Sequence, residues 1–190
     1  MKFVKFVSGV VFAVTAFVAV AHATEVAGVK VDEKVNANGK DLVLNGAGLR
    51  SIAFFKVYVA SLYLPAKSNN ATQVLDSMTT ARMNLRIMRD IEADTLYGAL
   101  KEGFNANVPE SEMAVMQPRL QQFAAIMRKV GVSHPGDVMT LDFHADNVSV
   151  FLNGNSLGTL AAPRFGRALL SIWLGEHPVE SGLKKALLGS

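Results

Sequence analysis

Few residues in this chain have a type and spacing that could do chemistry. Thr140, Asp142 and His144 fall two apart, so on a strand they would share one face, with Asp146 just beyond. A carboxylate and an imidazole so placed are the start of a divalent-metal site. No third ligand converges on them among the four histidines of the chain, so no metal is expected. His134, before Pro135-Gly136, reads as a loop residue, and His177 as one that shapes a helix end. Cysteine is absent, which excludes disulfides, thiolate metal sites and cysteine nucleophiles together. There is no Ser-His-Asp arrangement and no phosphate-cradling loop. Gly46-Ala47-Gly48 lacks a third glycine and opens no helix, so it is not a nucleotide fingerprint, and no cofactor is expected. Arg50 beside those glycines could bind an anion or simply pair with an acid. Tyr58 could be a cleft hydroxyl or a core aromatic. Arg82 and Arg86 alternate with apolar residues and read as a solvated strand face. Met113, Met116 and Met127 repeat at helical spacing and read as core.

These residues need elements to position them. Val26 to Val31 reads as one strand and Asp41 to Asn45 as another, with Asn38-Gly39 as a turn and Gly46–Gly48 as an interruption. Phe54 to Leu64 is the strongest strand. Strict alternation puts Phe54, Lys56, Tyr58, Ala60, Leu62 and Leu64 on one face and Phe55, Val57, Val59, Ser61 and Tyr63 on the other. Both faces are largely apolar, so the strand should be central and covered on both sides. A short helix follows at Ala71 to Met78, capped by Asn70, then a strand around Met83 to Ile87. Leu96, Leu100 and Phe104 mark one face of a helix over 91–104, with Asp90 placed to cap it. A second helix covers 109–130, where Pro118 should kink or divide it and Gly131 stops it. Val138 to Phe143, Val148 to Leu152 and Ser156 to Leu160 are strands, the last two joined by the hairpin signal Asn153-Gly154. Helices over 164–174 and 181–188 close the chain. This order is α+β, with helices packed on a mainly antiparallel sheet.

The chain has 190 residues, half of them apolar and 18% charged, which is a globular composition. Its net charge of +3 is misleading. Residues 1–23 carry Lys2 and Lys5, an uncharged run from Phe6 to Ala21, and the exit Ala21-His22-Ala23. That pattern is a secretory signal peptide cleaved after Ala23, so a periplasmic or secreted protein is expected. Removing it leaves residues 24–190 as one domain with net charge +1, counted from the sequence. No basic stripe remains for nucleic acid and no apolar run for a stable membrane span after cleavage.

Three segments together carry a resemblance. The first is Leu44-Asn45-Gly46-Ala47-Gly48-Leu49-Arg50 leading into the strand Phe54 to Leu64. The second is the hairpin Phe151 to Gly158. The third is Ala168 to Val179, including Gly175-Glu176-His177, followed by Leu183-Lys184-Lys185. Their combination and order resemble the chalcone isomerase-like family. The resemblance implies an open-faced β-sandwich, a large antiparallel sheet with helices on one face and a ligand cleft between them. That family contains true isomerases and members that lack the activity, some of which resemble fatty-acid binders.

The isomerase pattern is mostly missing. Arg50 matches the family's arginine on the glycine turn. Tyr58 stands where the isomerases have a threonine. Leu96 and Gly103 stand at the positions of a tyrosine and an asparagine, with Tyr97 only adjacent. Ile172 stands at the position of a serine or threonine, with Ser171 one residue off. An apolar cleft with one arginine and one tyrosine suits a long apolar ligand with an anionic head. The resemblance therefore implies a non-catalytic binder of a fatty-acid-like molecule. Arg50 and Tyr58 would grip the head, Lys56 would add charge, and Phe54 and Leu62 would line the tail tunnel, with Leu96 and Ile172 contributing apolar wall. The alternatives are an isomerase or intramolecular lyase, with Arg50 as electrophile and Tyr58 as acid or base, and an envelope interaction protein without a ligand.

Overall fold

The computed structural model describes residues 23–76, 80–161 and 163–190. The segment read as a signal peptide lies, up to residue 22, outside the described residues, as does Met78.

A small hairpin opens the fold: β1 (Ala23–Val26) pairs with β2 (Val29–Asp32) across Ala27-Gly28. The single strand expected at Val26 to Val31 is therefore a turn and a strand. The main sheet begins with β3 (Lys34–Ala37), β4 (Lys40–Ile52) and β5 (Phe55–Leu64). α1 (Ala71–Asp76) follows, with Asn70 Oδ1 accepting from the Gln73 amide at 3.0 Å as a cap. β6 (Thr80–Ile87) returns to the sheet. The chain then leaves through β7 (Ile91–Glu92), α2 (Ala93–Asn107), α3 (Glu110–Met127), a 3-10 turn and β8 (Val132–Ser133). It re-enters as β9 (Val138–His144), β10 (Asn147–Leu152) and β11 (Asn155–Ala161), and ends in α4 (Phe165–Leu174) and α5 (Ser181–Leu187).

The seven strands lie in the order β11-β10-β9-β6-β5-β4-β3, each antiparallel to its neighbour. The helices cover one face, where Tyr58, Ala60, Leu62 and Leu64 of β5 join the larger apolar core. α4 is buried nearly all round, Arg167 excepted, and forms the centre of the helical layer. The other face carries a smaller cluster built on Val59 and Tyr63 with Leu42, Leu44 and Val31.

Several expectations change. The helix expected from residue 91 starts two residues later, because Ile91 and Glu92 pair with β8, and Asp90 bonds His134 Nδ1 at 2.7 Å instead of capping. Pro118 does not divide α3, which runs unbroken through it. Arg82 is not on a solvated face: its Nε and Nη2 donate to both oxygens of the buried Asp142 directly across the β6–β9 pair, at 2.6 and 2.7 Å. That bond removes Asp142 from the possible metal ligands, and Thr140 donates instead to Asn84 at 2.8 Å.

The glycine segment is not an interruption. β4 continues through it, and what the glycines provide is room. A Cβ on Gly46 would stand 2.1 Å from the Ala186 carbonyl oxygen, and one on Gly48 2.8 Å from the Ala186 side chain. α5 therefore lies directly on the backbone of β4. Asn45 fastens the contact, donating to the Leu187 carbonyl at 2.7 Å and to the Ser68 carbonyl at 3.0 Å. Gly98 in α2 has open space around it. The same substitution should thus act with opposite sign at the two positions. Gly46→Ala is expected to cost about 2 kcal/mol or more through displaced backbone, and Gly98→Ala to gain roughly 0.5–1 kcal/mol as a better helix former. Urea denaturation midpoints check both.

Candidate functional site: a cleft between β5 and α2

Each strand of the β4–β5 pair carries one extra residue. Asn45 of β4 sits between the pairs Leu44–Tyr63 and Gly46–Leu62, and Val57 of β5 between Arg50–Tyr58 and Ser51–Lys56. An extra residue reverses the alternation of faces along its strand. Leu42 and Leu44 accordingly face the smaller cluster, whereas Gly48 lies under α5 and Arg50 reaches the helix side. Val57 and Tyr58 both turn to the helix side, and with them Phe55.

The result is a cleft of about 800 Å³ between the start of β5 and α2. Val57, Tyr58, Leu96, Leu100 and Val179 give it apolar walls. Arg50, Arg89, Glu92 and Glu102 are among its polar lining residues. Of the residues singled out from sequence, Arg50, Tyr58 and Leu96 meet here. The others do not. Lys56 is exposed, pointing away from the cleft because of the Val57 bulge. Phe54 is in the β4–β5 turn and 99% exposed, so it lines no tunnel. Leu62 is fully buried core deeper along β5, and Ile172 fully buried core in α4. Val57 and Phe55 were missed by strict alternation, which cannot register an extra residue. Arg89 was missed because its place at the mouth comes from the β5–β6 pairing and from its guanidinium stacking on the Phe55 ring, 4.9 Å from its centre.

Ile172 does act on the cleft indirectly. A Cβ on Gly103 would stand 2.8 Å from Ile172 Cγ2, so α2 rests on α4 at this point. Helix contact occupies the space where the resemblance places polar side chains. Tyr97 does not substitute for them: its hydroxyl donates to the Leu120 carbonyl at 3.3 Å, tying α2 to α3. Ser171 donates to the Ala168 carbonyl within its own helix at 2.6 Å.

The head of the cleft is a small polar set. Tyr58 is buried, and its oxygen accepts a hydrogen bond from Trp173 Nε1 at 3.1 Å. Burial raises its pKa above the ordinary value, against the lowering pull of the Trp173 bond and of Arg50. The phenol is therefore neutral at physiological pH, able to donate and ill suited to act as a base. Arg50 lies across the pair from Tyr58. Its Nη1 donates to the Ser51 carbonyl and, at 3.0 Å, to Glu180 Oε2. Among the described residues its Nε and Nη2 have no hydrogen-bond partner. That is the edge with which Arg82 grips Asp142 and Arg167 grips Asp76. Arg50 thus retains an intact fork for a carboxylate.

A second groove of about 750 Å³ lies on the far side of Ala106 and His177, between α1, α4 and the start of α3. No group of metal-ligating side chains occurs among the described residues.

A family model described as chalcone isomerase-like matches residues 23–189. The chain belongs to the chalcone isomerase-like family. No match is found among curated proteins. Among solved structures, this chalcone isomerase-like chain is similar to a fatty-acid binding protein of Arabidopsis thaliana. The two share 15% identity with a TM-score of 0.70, over 85% of this chain and 92% of the other. At that identity the likeness establishes the fold. It agrees with the antiparallel sheet and helical layer described above.

All three tyrosines of the chain, Tyr58, Tyr63 and Tyr97, have pKa values raised by burial. The folded state holds these protons more tightly than the unfolded state. Their contribution is fully present below about pH 10 and is lost as pH rises through the raised values. Denaturation midpoints should fall above that pH, and tyrosinate absorbance of the native protein should lag behind that of the urea-unfolded protein. Coincident titration curves would contradict this burial.

Proposed function

We propose that this protein is a non-catalytic carrier or sensor of a long-chain fatty acid, exported to the periplasm or secreted after cleavage at Ala23. The observation that carries the reading is the free Nε/Nη2 edge of Arg50 at the head of an apolar cleft. A carboxylate on that edge would lie near the Tyr58 hydroxyl, and the acyl chain would run along Val57, Leu96 and Leu100. The cleft volume falls within the usual range for small-ligand sites. The structural similarity to a fatty-acid binding protein supports the same ligand class. Against catalysis stands the loss of polar side chains at Leu96, Gly103 and Ile172, which leaves little to position a reacting group.

Glu180 has a definite place in this reading. It pairs with Arg50 at 3.0 Å and would compete with an incoming carboxylate. Titration of the protein comprising residues 24–190, the form that cleavage after Ala23 leaves, with palmitate is expected to show saturable uptake, read by native mass spectrometry. Arg50→Ala should weaken uptake about 10- to 100-fold, the scale of a lost charge-assisted pair. Glu180→Gln should strengthen it several-fold by removing the competitor. Failure of the parent protein to take up any long-chain acid would sink the proposal. Sequencing the N-terminus of protein recovered from cells tests cleavage after Ala23.

A further inference from the structure

Five large apolar side chains are strongly exposed among the described residues, and three of them sit in one turn. These are Ile52, Phe54 and Phe55, which are 55%, 99% and 60% exposed. They form the tip of the β4–β5 hairpin. Ile52 and Phe55 also line the cleft, so the patch is continuous with its mouth. Phe54 stands outside it.

Two cations flank this tip: Lys56 follows Phe55 and is exposed, and the exposed Arg89 stacks on the Phe55 ring. Glu180 and Arg50 offset each other, and Asp90, Glu92 and Glu102 line the cleft itself, so the positive charge offered outward is that of Lys56 and Arg89 at the turn. Ring and guanidinium together make a surface that is apolar at its centre and positive at its edge.

One exposed turn offers too little area for a stable protein interface, which buries about 1,200 Å² or more in total. It does fit a lipid surface. Exposed phenylalanine and aliphatic side chains bury into the headgroup/acyl boundary, and lysine and arginine beside them are drawn to anionic headgroups. We propose that the β4–β5 turn docks this protein on an anionic bilayer surface, with Phe54 inserted and the cleft mouth held at the interface. This rests on the fatty-acid reading of the cleft. A long-chain acid resides in membranes far more readily than in water, and a docked mouth would let its tail enter without full exposure to solvent.

The test is flotation of the protein comprising residues 24–190 with phosphatidylcholine vesicles, with and without phosphatidylglycerol. Binding is expected to the anionic vesicles and to weaken as salt is raised. Phe54→Ser should reduce the bound fraction at least about fivefold, and Lys56→Glu should lower binding and flatten its salt dependence. Phe54→Ser should melt like the parent and take up soluble palmitate as the parent does, because Phe54 touches neither core nor cleft. If the parent takes up palmitate but does not float with anionic vesicles, docking is wrong and the carrier reading stands. If it floats through Phe54 but takes up no acid, docking stands and the carrier reading fails. A dimer in solution that Phe54→Ser dissociates would assign the patch to a second copy and overturn the lipid proposal.

Discussion

The geometry of the cleft depends on parity. Side chains along a strand alternate, and one inserted residue reverses the alternation for everything beyond it. Here β4 and β5 carry one such residue each, Asn45 and Val57. Asn45 sends Leu42 and Leu44 to one face and Gly48 and Arg50 to the other. Val57 turns itself, Tyr58 and Phe55 to the helix side and leaves Lys56 outside. Were Val57 an ordinary alternating residue rather than an extra one, β5 would point Lys56 toward α2 and Phe55 away from it.

The same strands explain why the helical layer sits where it does. Gly46 and Gly48 expose bare backbone, on which α5 rests, and Asn45 fastens the end of that helix. Glu180, the residue preceding α5, thereby arrives at Arg50. On the other side of the cleft, Gly103 lets α2 settle on Ile172 of α4. The cleft wall follows from two close helix seats, each made by the absence of a side chain. What remains polar at its head is one neutral phenol, one guanidinium and the carboxylate paired with it.

Much of this was legible in the residues. The order of elements, the antiparallel sheet, the hairpin at Asn153-Gly154 and the cap at Asn70 follow from periodicity and turn chemistry. The family followed from three motifs in sequence order. The site was legible only in part. Arg50, Tyr58 and Leu96 do come together, but Phe54 and Lys56 were assigned by counting in twos across a bulge, and Leu62, on the expected face, is buried too deep along β5 to reach the cleft. A bulge is a property of pairing between strands, and neither strand alone announces it. Arg82 was misread for a related reason: its partner Asp142 lies sixty residues away, on a strand adjacent only in the folded sheet. Asp90 was misread because its His134 partner is likewise distant in sequence.

The bond between Trp173 and Tyr58 has a practical consequence. The chain contains a single tryptophan, fully buried in α4, and its indole nitrogen is tied to a hydroxyl in the cleft wall. The protein is therefore fitted with its own optical probe. Excited beyond the absorption of its three tyrosines, the protein emits from one ring, at one place, one hydrogen bond from the wall of the cleft. Occupancy can be followed as a change in colour or brightness of that emission, with no label attached and no second tryptophan to dilute the signal.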